Sequence, residues 1–140
     1  MQSSLILAPT GTDDGLLTVK DILSMNQLKA KLVVLSACQT GRGKITGDGV
    51  VGLSRAFIIA GTPSVLVSQW NVDDVITEFQ MKEFYKGYLA RAGKSKSLRD
   101  AQLATIKLLE GGSKPSALAA PALRANPRFW AAFQMIGESI

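Results

Sequence analysis

The chain has 140 residues, 46% of them hydrophobic and 19% charged, which suits one globular core and excludes a disordered segment. Sixteen Lys and Arg against eleven Asp and Glu give a net charge of +5, and the chain holds one cysteine and no histidine. An internal disulfide and a zinc site of nitrogen and sulfur ligands are therefore excluded. No run approaches the ~18 apolar residues of a membrane span and no signal-peptide pattern is present, so a cytoplasmic setting without a membrane partner is expected.

Ser4-Leu5-Ile6-Leu7-Ala8 predicts a short buried strand, followed by a turn over residues 9–15. Thr18, with Asp21 three residues on, matches a capping box that opens a short helix reaching about residue 25. Residues 31–37 predict the next strand, and their unbroken apolar character predicts burial on both faces. Gly41-Arg42-Gly43-Lys44 and Gly47-Asp48-Gly49 read as a loop. From Val50 a helix carries Leu53, Phe57 and Ala60 on one face, and Gly61 with Pro63 stops it.

Residues 64–70 predict another strand, and 71–74 a turn whose aspartate caps the helix that follows. In that helix Met81, Phe84, Tyr85, Tyr88 and Leu89 form an i, i+3, i+4, i+7, i+8 stripe. Ser97 and Asp100 predict the opening of a further helix, with Leu98, Ala101, Thr105 and Leu108 in line. Residues 111–127, rich in Ala, Pro and Gly, read as a loop, and 129–137 as a last buried strand. No repeat or composition shift divides the chain, so 1–140 is expected to form a single domain. Strands alternating with helices imply an α/β domain with a mainly parallel sheet, whose sites lie at the carboxyl ends of its strands. Cys38 and Trp70-Asn71 both fall at such ends.

The basic residues of the second half, from Lys82 to Arg128, alternate with apolar positions as on the wet faces of helices, so a nucleic-acid partner is not expected. A phosphate loop also fails. Gly41, Gly43 and Gly47 are spaced one residue too long for a dinucleotide fingerprint, and Ile45 stands where a Walker A loop needs Ser or Thr. A nucleotide-binding domain is thus a distant reading. Cys38 is either a small buried hydrophobe or a nucleophile. Its small and polar neighbours (Ser36, Gln39, Thr40, Gly41) favour an accessible thiol beside backbone N–H groups that stabilise an oxyanion. Asp48, Asp73 and Asp74 lie just past strand or loop ends, where they either receive a basic side chain or serve as turn and cap residues. Trp70 either lines a groove or packs at its rim.

Leu32-Val33-Val34-Leu35-Ser36-Ala37-Cys38-Gln39-Thr40-Gly41 resembles the cysteine motif of CHAT domains, caspase-like modules often found behind tetratricopeptide repeats. The resemblance continues through residues 47–61 and 64–74, through Phe84-Tyr85 and Leu98-Arg99-Asp100-Ala101-Gln102, to the closing Asn126-Pro127-Arg128-Phe129-Trp130-Ala131-Ala132-Phe133. It implies a caspase-like, three-layer α/β/α fold with a mainly parallel sheet, and a cysteine endopeptidase that acts on a protein or peptide; no cofactor and no metal-ligating residue are assigned. Cys38 matches the nucleophile. Ser68, Gln69 and Trp70 match the strand along which substrate runs, and Asp73 and Asp74 occupy the turn where related separases hold a basic P1 side chain.

In the family a His-Gly pair after an earlier strand supplies the base. The chain has no histidine, so it resembles the C-terminal part of the domain and its fold is expected to be incomplete. The base is then expected from upstream sequence, with tetratricopeptide repeats, or from a second chain. An exposed sheet edge is expected to permit self-association. The rival reading is a CHAT-like interaction or signalling module without catalysis.

Overall fold

The computed structural model describes residues 4–25, 27–36, 47–71, 73–111 and 126–139, with the backbone alone for 47–50. It divides into two compact units, one of residues 1–69 and 136–138, the other of residues 70–135 and 139–140.

In the first unit β1 (Ser4–Ile6) pairs antiparallel with β2 (Leu16–Thr18), Ser4 opposite Thr18. Asp13 closes the connection, its Oδ1 accepting from Gly15 N at 2.9 Å, while Leu7 N donates to Gly15 O at 2.7 Å. Sequence reading missed β2, because its three residues merge with the helix start that follows. It also expected β1 to be buried, whereas Ile6 is 47% exposed on this two-stranded ribbon.

The capping box is present. Thr18 Oγ1 accepts from Asp21 N at 3.2 Å, Asp21 Oδ2 accepts from Thr18 N at 2.8 Å, and α1 (Val19–Ser24) follows. The Thr18 hydroxyl and then its backbone N–H hold the Asp21 carboxyl below its ordinary value.

β3 (Val33–Leu35) lies parallel to β4 (Ser64–Ser68), with Val33 opposite Val65 and Leu35 opposite Val67. Among the described residues the sheet order is β3–β4–β5, which puts β3 at an edge. That position explains why Val33 and Val34 are only partly buried, against the expectation of burial on both faces, while all five residues of β4 are buried.

The helix α2 (Gly47–Ile59) begins three residues before the expected Val50, so Gly47-Asp48-Gly49, expected as a loop, forms its first turn. The expected stop is borne out as a Schellman motif. Thr62 N donates to Phe57 O at 3.0 Å, Gly61 N donates to Ile58 O at 3.1 Å, and Gly61 has φ +107°.

The core of this unit joins Ile22, Leu35, Leu53, Ala56, Phe57, Ala60, Val65 and Val67, with Ile136 packed against it. Ile136 comes from the end of β5 (Phe133–Gly137), where Glu138 N donates to Pro63 O at 2.8 Å and Ser64 Oγ donates to Glu138 O at 2.6 Å. The end of β5 thus lies beside the start of β4, and the two strands run antiparallel. The α/β class holds, with mixed sheets.

In the second unit α3 (Asp74–Leu89) buries Ile76, Gln80 and Phe84. The expected stripe is corrected. Of its five members only Phe84 is buried, and Leu89 is 78% exposed, because the buried seam runs i, i+4, i+8 through a glutamine that a count of apolar residues passes over. The helix α4 (Lys94–Glu110) buries Leu98, Ala101 and Thr105 as expected, but starts three residues earlier than Ser97. Its N-cap is Gly93, at φ +85°, which makes no side-chain cap bond. Ser97 is buried inside the helix with Oγ donating to Gly93 O at 2.6 Å, and Asp100 pairs with Lys96.

Close packing sets the crossing of α3 and α4. A Cβ added at Gly87 would lie 2.9 Å from Ser97 Oγ. The expected loop over 111–127 falls mostly outside the described residues. It ends at α5 (Pro127–Trp130), one helical turn that takes Phe129 and Trp130 from the expected last strand, while Phe133–Gly137 of that strand form β5. Asn126 Oδ1 caps the turn, accepting from Arg128 N at 2.9 Å. No helix among the described residues is long and apolar enough to cross a membrane, and none of their His, Cys, Asp and Glu residues group into a metal site.

Candidate functional site

The parallel pair supplies the frame. Leu35 opposite Val67 places Ser36 level with Ser68, so both strands leave the sheet at one edge. This is the carboxyl edge, where open α/β sheets place their ligands. Cys38 follows Ser36 by two residues and lies outside the described residues, as does the side chain of Asp48, whose backbone belongs to the first turn of α2.

Ser68 is the last residue of β4 and is buried. Gln69 and Trp70 lie beyond the strand, which ends two residues earlier than expected. Both are exposed. Trp70 keeps 39% of its surface open, and its indole Nε1 donates to Arg128 O at 2.8 Å.

Asp73 is the N-cap of α3, its Oδ1 accepting from Val75 N at 3.0 Å and from Ile76 N at 3.2 Å. Asp74 is exposed in the first turn, where the helix dipole favours a negative charge. Capping and recognition at Asp73 separate by mutation. Asp73→Ser keeps an oxygen for the amides and is expected to change stability by a few tenths of a kcal/mol, whereas Asp73→Ala is expected to cost about 1 kcal/mol. Urea unfolding of the two variants checks this. Equal losses would show that the bonds to Val75 and Ile76 contribute nothing.

The sequence reading missed one group in this neighbourhood. Gln80, wholly buried on α3, donates from Nε2 to Trp130 O at 2.8 Å, while its Oε1 has no hydrogen-bond partner. An orphaned buried acceptor costs about 1–3 kcal/mol. The signal for it was an amide lying on the seam between Ile76 and Phe84.

The family model of the CHAT domain matches residues 1–138. This chain belongs to the CHAT domain family. Over 125 residues it is 35% identical to tetratricopeptide repeat protein 28 of Mus musculus, and equally to the protein of that name from Homo sapiens. Each alignment takes in 89% of the CHAT chain but only 4% of the relative, so the chain spans a small part of the length of these proteins.

Proposed function

We propose that this CHAT chain supplies the nucleophile of a cysteine endopeptidase. In this reading the Cys38 thiolate attacks a peptide carbonyl, the C–N bond breaks and the amine leaves with a proton. Water then cleaves the resulting thioester. The observation that carries the reading is the parallel pairing of β3 with β4, which starts the segment leading to Cys38 and the segment Ser68-Gln69-Trp70 from one sheet edge. Substrate lies along the second segment, with Trp70 as an aromatic wall. Asp48, Asp73 and Asp74 are each acidic candidates for a basic P1 side chain, and Asp74 is a stronger one than Asp73, since one oxygen of Asp73 serves the helix cap.

A thiolate nucleophile needs a base, and these 140 residues contain no histidine. We assign the base to a histidine outside them, in the same longer protein or in a second chain, with residues 1–140 acting as one cysteine-bearing domain. The name of the relatives supports tetratricopeptide repeats in the same polypeptide. Strand β3, at an edge of the sheet among the described residues, offers a place for self-association. A cytoplasmic setting, without cofactor, metal, membrane or nucleic acid, completes the reading.

The absence of histidine also favours the second reading, an interaction module without catalysis. A peptidyl acyloxymethyl ketone with a basic P1 residue separates the two. In the natural full-length product it is expected to label Cys38 and to lose that labelling when the assisting histidine becomes Ala. Labelling of Cys38 that is absent, or indifferent to every histidine, gives the module reading instead.

A further inference from the structure

A four-residue helix cannot hold itself, because one turn fixes many dihedral angles for very few hydrogen bonds. Within α5 and its caps, Phe129 N donates to Asn126 O at 3.0 Å and Ala131 N to Pro127 O at 2.8 Å. The carbonyls of Arg128 and Trp130 face the next turn, which does not exist. Each receives a side-chain donor from elsewhere in the unit, the indole N–H of Trp70 at Arg128 O and the amide of Gln80 at Trp130 O.

Gln80 is the less expected donor. It is fully buried between Ile76 and Phe84, and the bond to Trp130 O dictates the orientation of its amide, which leaves Oε1 unsatisfied. An apolar side chain of similar volume would remove the orphaned Oε1 but also take the donor from the Trp130 carbonyl. The net stability from the amide is therefore small, and what it supplies is the bond to α5.

We propose that Gln80 is a positioning residue: by holding the Trp130 carbonyl it fixes the α5 turn, and the Arg128 carbonyl of that turn fixes the indole of Trp70 beyond the end of β4. This rests on the reading of Trp70 as a wall for bound peptide. One edge of the ring is pinned through Nε1 and the exposed remainder is presented at a set angle. Gln80 acts on substrate through α5 and Trp70 and touches no substrate itself.

The test uses the full-length protein and Gln80→Leu, with Gln80→Met as a second variant should the first fail to fold. In the full-length protein the emission lost in Trp70→Phe isolates the signal of Trp70. Both Gln80 variants are expected to leave the thermal midpoint little changed, since the orphaned Oε1 and the bond to Trp130 O are lost together. Trp70 is expected to become more accessible to acrylamide.

For a peptide substrate, KM is expected to rise about 2- to 10-fold with kcat little changed, the equivalent of one hydrogen bond. Trp70→Phe is expected to give the same rise, and Gln80→Leu to add nothing to it. A folded variant with unchanged Trp70 quenching overturns the proposal, as does a KM effect of Gln80→Leu that persists undiminished in Trp70→Phe. The quenching does not depend on catalysis. Loosened Trp70 in a protein that turns over no peptide removes the peptidase reading and leaves the α5 bracket standing.

Discussion

Phe84→Ala is expected to destabilise the helical unit by about 3–5 kcal/mol, a large part of the 5–15 kcal/mol that holds a typical domain folded. The side chain is fully buried on the α3 seam. Its ring meets Tyr85 edge-on, with centroids 5.3 Å apart, and stacks on Tyr88 at 6.0 Å with 4° between the planes. Truncation forfeits the transfer energy of the ring and leaves a void that two helices crossing as tightly as Gly87 against Ser97 cannot close. Leu89 belongs to the same helix and is almost as large, yet its exposure brings the expected cost of Leu89→Ala within about 0.5 kcal/mol of zero. Urea unfolding of both variants decides the matter. Similar losses at the two positions would mean that the seam has been placed wrongly.

Gly137→Ala is expected to cost about 2–5 kcal/mol by a different route. The residue has φ +94°, and a Cβ there would stand 2.4 Å from Pro63 O and 2.9 Å from Ile58 Cδ1. The isoleucine methyl can turn aside. The carbonyl cannot, because it accepts from Glu138 N and moving it breaks the closure of β5 onto β4. About 1–2 kcal/mol of backbone strain adds to about 1–3 kcal/mol of overpacking. Gly52 provides the opposite control. It sits in α2 with nothing within 4 Å of its added Cβ, so Gly52→Ala is expected to stabilise by up to about 1 kcal/mol. Thermal melts of the two variants should shift in opposite directions, and a common direction would refute the clash at Pro63.

Local chemistry was the legible part of this sequence. The Thr18–Asp21 box, the stop at Gly61 and an aspartate cap in the 71–74 turn each depend on residues within a few positions of one another, and each was read correctly, with Asp73 the capping member. Errors arose where the deciding partner is distant. The exposure of Leu89 and the burial of Gln80 are set by α4 and α5, and no periodicity within α3 contains them. The shortness of β4 was likewise hidden, since Gln69 and Trp70 continue a plausible strand until Trp70 is drawn to the carbonyl of Arg128. At the candidate site the sequence located β4 to within two residues of its end and an aspartate cap without choosing between Asp73 and Asp74. The amide that supports the tryptophan was invisible because its role is written in residues fifty positions away.

The division of the chain has a consequence for its birth on the ribosome. Residues 70–135 form an insertion within the first unit, whose last members, Ile136 to Glu138, emerge only after the whole insertion has been made. Until then the core around Val65 lacks Ile136, and the carbonyl of Pro63 waits for Glu138. The half of the protein that is translated first therefore completes its core only after nearly the whole chain has been made. A nascent chain arrested anywhere before residue 136 carries an open β4 edge, and such an edge is a standing invitation to a chaperone or to a neighbouring copy.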